Sequence, residues 1–177
     1  MTRNRIRQAG CTAWLLLTLA AAPAPAAVPE YQLKAAFLYN FATFTDWPPT
    51  AATQMTVCVL GRDPFGAALD ALNGKTVHGA ALSTRRITTT EEARECRVLF
   101  IGAESGVDLA ATLSALKGRP VLTIAEDKNA MRQGAMIGLV SDGERVAFDI
   151  NTAAARDGGL ALSSKLLRLA RQLYPAP

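Results

Sequence analysis

Residues 55–66, MTVCVLGRDPFG, decide the fold. Met55 to Leu60 is a continuous apolar run rich in β-branched residues, stopped by Gly61. Asp63-Pro64 then has the form of a helix opening, with aspartate as N-cap and proline at the first helical position. That helix is expected to run to Ala71 or Leu72 and to end at Asn73-Gly74. A strand with no polar alternation is buried on both faces, as happens in a parallel sheet covered by helices. The same order of strand, turn and helix returns further on. Arg97 to Ile101, RVLFI, ends at Gly102, and a helical pattern follows over Ser105–Leu116. Between these units Leu82–Ile87 reads as a strand. Thr88 and Thr89 each stand three residues before a glutamate, Glu91 and Glu92, a capping-box pattern for a short helix. Val121–Ile124 reads as a fourth strand, with a short helix near Asp127–Arg132.

Outward from this centre the pattern changes. Ala135–Val140 and Arg145–Ile150 are two strands joined by Ser141-Asp142-Gly143-Glu144, and Asp-Gly in so short a link predicts a hairpin. A short helix follows Asn151-Thr152 and breaks at Gly158-Gly159. Ser163–Tyr174 reads as a terminal helix, with Leu166, Leu169, Ala170 and Leu173 on one side and Lys165, Arg168 and Arg171 on the other. Upstream, Pro29-Glu30 opens a helix in which Leu33, Phe37, Asn40 and Phe44 share a face, Leu38 and Phe41 widen the apolar side, and Trp47-Pro48-Pro49 stops it. The expected architecture is α/β and three-layered: a mostly parallel sheet flanked by helices, with an antiparallel hairpin towards the C-terminus.

The first 26 residues read as a secretory signal peptide and residues 27–177 as a single domain. Arg3, Arg5 and Arg7 form a positive region without acids, Thr12–Ala22 is a short apolar run, and Ala24-Pro25-Ala26 has the form of a cleavage site. The run is too short for a stable membrane anchor, so no membrane insertion is expected after cleavage. Loss of the leader removes three arginines and takes the formal charge from +4 to +1. The basic pI of the whole chain therefore says little about partners. No basic stripe with interleaved aromatics is present, which disfavours nucleic acid. Cys11 leaves with the leader, and Cys58 and Cys96 remain as an even pair in an oxidising compartment. That favours a disulfide over two buried free thiols.

No catalytic constellation emerges. Gly61-Arg62-Asp63-Pro64-Phe65-Gly66 has glycine spacing, but Ala67-Ala68 stand where a phosphate loop needs its lysine and hydroxyl. His78 is the single histidine, it reads as a surface residue, and no G-x-S-x-G motif occurs. One histidine and two cysteines do not make a metal ligand set, and no cofactor is expected. The neighbouring acids Glu91/Glu92 and Glu126/Asp127 read as charges at helix starts. Binding remains. In open α/β sheets ligands sit beyond the carboxyl ends of the strands, which here means Gly61–Pro64, Gly102–Ser105 and Ala125–Asp127.

Several motifs resemble the YfiR family of periplasmic proteins. They are YQLKAAFLYNFATFTDWP over residues 31–48, Cys58 to Gly61 with Asp63 to Gly66, the Cys96–Ile101 strand and Pro120 to Thr123. Phe148 to Asn151 with Ala153 to Gly159, and Ser163 to Ala170, complete the set. The family has a Gly-Gly-Met turn into the hairpin where this chain has Gly134-Ala135-Met136. The resemblance implies a dimeric, disulfide-bonded α/β regulator in the periplasm. Its partner would be the periplasmic sensor part of an inner-membrane diguanylate cyclase, held down so that cyclic-di-GMP synthesis falls. Cys58 and Cys96 match one cysteine pair of the family, and a second pair has no counterpart here. Phe41 and Trp47 on the first helical segment, with Lys165 and Arg168 on the terminal one, are the expected partner contacts. A stand-alone periplasmic module binding a small molecule is the competing reading.

Overall fold

The computed structural model describes residues 29–49, 53–142 and 145–174. The signal peptide expected over residues 1–26 lies outside them. Helix α1 spans Glu30–Thr43 and strand β1 Thr45–Asp46. Next come β2 (Gln54–Leu60), α2 (Ala67–Asp70), β3 (Thr76–Val77) and β4 (Ala80–Ile87). Helix α3 (Thr90–Ala93), β5 (Val98–Ile101), α4 (Leu109–Ala115) and β6 (Leu122–Ala125) follow. Strands β7 (Ile137–Asp142) and β8 (Arg145–Asn151) lead to α5 (Thr152–Asp157), β9 (Ala161–Leu162), α6 (Ser164–Leu169) and β10 (Gln172–Tyr174).

Eight strands form one sheet in the order β10-β8-β7-β6-β5-β2-β4-β3, while β1 and β9 form a small antiparallel ribbon. The large sheet is mostly parallel. Only the β7–β8 hairpin and the β3–β4 pair run antiparallel. Its central strands feed two cores, because successive side chains point to opposite faces. Val57, Val59, Val98, Phe100, Leu122 and Ile124 enter one cluster, with Leu38 and Phe41 of α1 over it. Cys58, Leu60, Leu99, Ile101 and Ala125 enter the other, which Ala93 of α3 and Leu113 of α4 help to cover.

Local signals explain the short helices. Thr89 accepts from the Glu92 N–H while the Glu92 carboxylate accepts from the Thr89 N–H, the capping box read in the sequence. Asn151 and Ser163 cap α5 and α6 through their side chains. Gly61 ends β2 with φ of +78°, and a Cβ there would lie 2.1 Å from the Ser105 carbonyl oxygen, so two strand-end loops touch backbone to backbone.

The structure corrects several expectations. Asp63 does not cap α2, which starts at Ala67. Instead it accepts the Phe65 N–H at 2.8 Å and pairs with Arg86. Helix α4 starts at its N-cap Asp108, not at Ser105. Residues 128–134 form turns, not a helix: Asp127 accepts the Asn129 N–H at 2.6 Å and folds the chain locally. The buried face of α1 is Lys34, Ala35, Leu38, Phe41 and Ala42, while Asn40 is exposed. The terminal helix stops at Leu169. Ala170 turns extended, the Arg171 N–H donates to the Phe148 carbonyl, and residues 172–174 join the sheet edge beside β8. Of its expected apolar side only Leu166 is buried. The hairpin is present with Asp142 opposite Arg145, and its 143–144 link lies outside the described residues.

Candidate functional site

The carboxyl end of the sheet opens into a cleft of about 430 Å³. Its polar floor is built from three parts of the chain. The first turns of α1 supply Tyr31 and Lys34, the residue just after β6 supplies Glu126, and β8 with the start of the final strand supplies Asp149 and Arg171. Lys34 falls on the core-facing side of α1 and is only 3% exposed. Its ammonium lies 2.5 Å from the Glu126 carboxylate, also engages Glu30 one turn back, and sits 4.4 Å from the centre of the Tyr31 ring. The Tyr31 hydroxyl donates to Glu126 at 3.4 Å, and Ser141 donates to Glu30 at 2.7 Å. Opposite, Arg171 clasps the buried Asp149 with two parallel hydrogen bonds of 2.9 and 2.6 Å. Such bidentate pairs fix geometry as well as charge.

These environments shift the ionisations. Burial pulls the Lys34 ammonium down, yet its hydrogen bonds to Glu126 and Glu30 outweigh that, and its net shift is upward. Hydrogen bonds from Lys34 and Ser141 hold Glu30 below the ordinary carboxylate range. Burial, then the charge of Glu126, pushes the Tyr31 phenol up. Both carboxylates of the floor, Glu126 and Asp149, are engaged by cations, so each charge is balanced within the cleft. The reading of Glu126/Asp127 as helix-start charge is corrected: Glu126 turns inward to Lys34, and Asp127 turns the chain. The sequence signal was Lys34 itself, one cation on a helix face otherwise made of Ala35, Leu38, Phe41 and Ala42.

On the second core, Cys58 of β2 and Cys96, just before β5, form a disulfide with Cα atoms 6.0 Å apart. Both residues are buried, at 0% and 2% exposure. The bridge ties the centre of the sheet to the turn that follows α3.

The four residues expected to meet a partner separate. Phe41 is fully buried, packing edge-on against Phe148 at 4.9 Å and beside Phe37 at 5.6 Å, so it offers no surface. Trp47 is half-buried beside His78, its indole N–H without an acceptor among the described residues. His78 is exposed and adopts φ of +50°. Lys165 and Arg168 are exposed on α6, and the Lys165 ammonium lies 4.8 Å over the Phe44 ring. The sequence reading placed Leu169 and Leu173 on the apolar side of a terminal helix, with Leu166. They are instead the large hydrophobic side chains left exposed among the described residues, at 63% and 44%. Lys165, Arg168, Leu169 and Leu173 thus fall on one short stretch, α6 running into β10.

Residues 31–171 match the family model described as YfiR/HmsC-like. Among solved structures the chain is similar to a conserved domain protein from Vibrio cholerae O1 biovar El Tor, with 10% identity and a TM-score of 0.56. The match covers 82% of this chain and 60% of that one, so the chain spans less than two thirds of its length, and the likeness is one of fold. It is also similar to the ABC domain in complex with L-Trp from Streptococcus pneumonia, with 11% identity and a TM-score of 0.49 over 68% of this chain and 55% of that one.

Proposed function

The chain belongs to the YfiR/HmsC-like family, and on that premise we propose that it is a periplasmic, non-enzymatic regulator in cyclic-di-GMP signalling. It acts by binding the periplasmic sensor part of an inner-membrane diguanylate cyclase and lowering the cyclase's output. Residues 1–26 direct export, and the domain over residues 27–177 works as a homodimer. No helix among the described residues is long and apolar enough to cross a membrane.

The observation that carries this reading is the α6–β10 surface. Leu169 and Leu173 stand exposed with Lys165 and Arg168 on the same stretch. Two exposed leucines with two cations on the same short stretch fit a partner surface that offers both apolar and acidic groups. Co-purification with the periplasmic part of a membrane cyclase tests it. Arg168→Glu with Leu169→Asp is expected to abolish capture while leaving the melting temperature close to wild type. Capture unchanged in that variant would refute the assignment of the surface.

The cleft beside Lys34 favours a second reading, a module that binds a small zwitterion between the Lys34–Glu126 and Arg171–Asp149 pairs. A ligand that binds only the native state raises the melting temperature. A flat thermal response across amino acids would remove this reading.

A further inference from the structure

The opposite end of the sheet carries a separate constellation. The register Val57–Val98–Leu122 sets Thr56, Arg97 and Val121 side by side where β2, β5 and β6 begin. Two clefts of about 300 and 290 Å³ meet there and share Gln54 and Arg97. Arg94, Arg97 and Arg119 all line the first. None of these three guanidinium groups has an ion pair or hydrogen bond among the described residues, whereas Arg62, Arg85, Arg86 and Arg171 each engage a carboxylate. The one acid lining that cleft, Glu95, is already held by Arg85 at 2.9 Å. Arg94 and Arg119 follow the ends of α3 and α4, where a cation is favourable. That accounts for their positions, but not for three cations lining one cleft without a counter-charge. Arg97 is half-buried, where an unmatched charge is costly.

We propose that Arg94, Arg97 and Arg119 form a binding site for a phosphate-class oxyanion, independent of the partner surface on α6. A tetrahedral oxyanion offers acceptor oxygens in more directions than a planar carboxylate, so several guanidinium forks can bind it at once. Three arginines lining one cleft therefore favour the phosphoryl group. The adjoining cleft, where Trp47, Pro48, Pro49 and Met55 stand beside Asp46 and His78, gives an organic body attached to that group an aromatic wall to pack on. The phosphoryl group can come from a soluble monoester or from a phospholipid headgroup.

Calorimetric titration of the oxidised full chain with inorganic phosphate and with phenyl phosphate tests the soluble source. Co-sedimentation with phosphatidylglycerol vesicles, against phosphatidylcholine vesicles, tests the lipid source. The expected result is saturable binding in at least one arm that Arg97→Gln weakens by about tenfold or more. Arg62→Gln, on an exposed pair elsewhere, should leave it unchanged. Phenyl phosphate binding more tightly than inorganic phosphate would place the organic body against Trp47. Should Arg97→Gln fail to fold, Arg94→Gln and Arg119→Gln, both at exposed positions, carry the same comparison. Binding in no arm, or binding that all three arginine variants retain, overturns the proposal.

Discussion

Opening the Cys58–Cys96 bridge should cost this domain a large share of its stability. The bond closes a loop across 38 residues of separation. Restricting the unfolded chain by a loop of that length corresponds to about 4 kcal/mol on the loop-entropy model. In a domain of this size each kcal/mol moves the melting temperature by about 2–4 °C, so a drop of about 8–16 °C is expected. Two perturbations separate the contributions. Reduction of the wild type opens the loop but keeps both sulfur atoms in the core. The Cys58→Ala/Cys96→Ala variant also removes their volume from positions packed near Leu60, Leu99 and Leu116. It should melt below the reduced wild type, because a filled core site loses contacts when truncated. The assay is thermal unfolding in oxidising and reducing buffer, with free thiols counted to confirm reduction. Equal melting temperatures for the oxidised and fully reduced wild type would refute the argument.

Lys34→Met leaves Glu126 buried without its cation and should destabilise by about 3–5 kcal/mol. Lys34→Met with Glu126→Leu should recover most of that loss, since a buried pair is often replaceable by apolar residues. Denaturant midpoints of the two variants check this, and a double variant no better than the single one sinks it. Because Lys34 and Tyr31 both have raised ionisation in the folded state, their stabilisation is complete below the ordinary lysine and tyrosine values, about 10. It is lost as pH climbs through the raised ones. Glu30 and Glu92 are lowered, so their contribution is complete above the ordinary carboxylate range and is lost as pH falls through the lowered values. Melting temperature against pH should decline at both ends, and the alkaline decline should shrink in the double variant. Gly61→Ala should cost about 2–4 kcal/mol from left-handed backbone and the clash with Ser105. Gly74→Ala, with the same φ of +78° but nothing within 4 Å, should cost only the backbone part, about 1–2 kcal/mol. Equal losses in urea unfolding would show that the close approach does not matter.

The apolar strands β2, β5 and β6 were legible because burial on both faces leaves a contiguous run, and the capping box at Thr89 because it is local. What the sequence did not disclose was settled at long range. Residues 163–174 carry a sound helical pattern, yet Arg171 meets Asp149 and the chain leaves the helix to pair with β8. Periodicity cannot register a competitor on another element. The two-residue strands β1, β3 and β9 are too short to impose a pattern at all. The candidate site divided in the same way. Of the carboxyl-end loops expected to form it, Ala103, Glu126 and Asp127 line the cleft and Gly61–Pro64 does not, and Lys34 and Glu126 find each other only once α1 lies across the sheet. Phe41 was read as a contact because aromatic residues suit interfaces; an apolar helix face looks the same whether it meets the core or a partner.

The edge strand β10 bears on how the molecule is made. Residues 172–174 complete the sheet beside β8, and the ring of Phe148 in β8 is what Phe41 of α1 packs against. The first helix and the last strand of the described chain therefore depend on the same late hairpin. During synthesis α1 emerges more than a hundred residues before Phe148, so the Phe37–Phe41 part of its apolar face waits uncovered. The β2–β4–β5–β6 unit can pair as it appears and gives α1 its first seat, while the contact of Phe41 with Phe148 forms only after β8. Such deferred contacts slow folding. They also make the last residues of the sheet a checkpoint: a chain cut before Arg171 lacks the clasp on Asp149 and the strand that closes the edge.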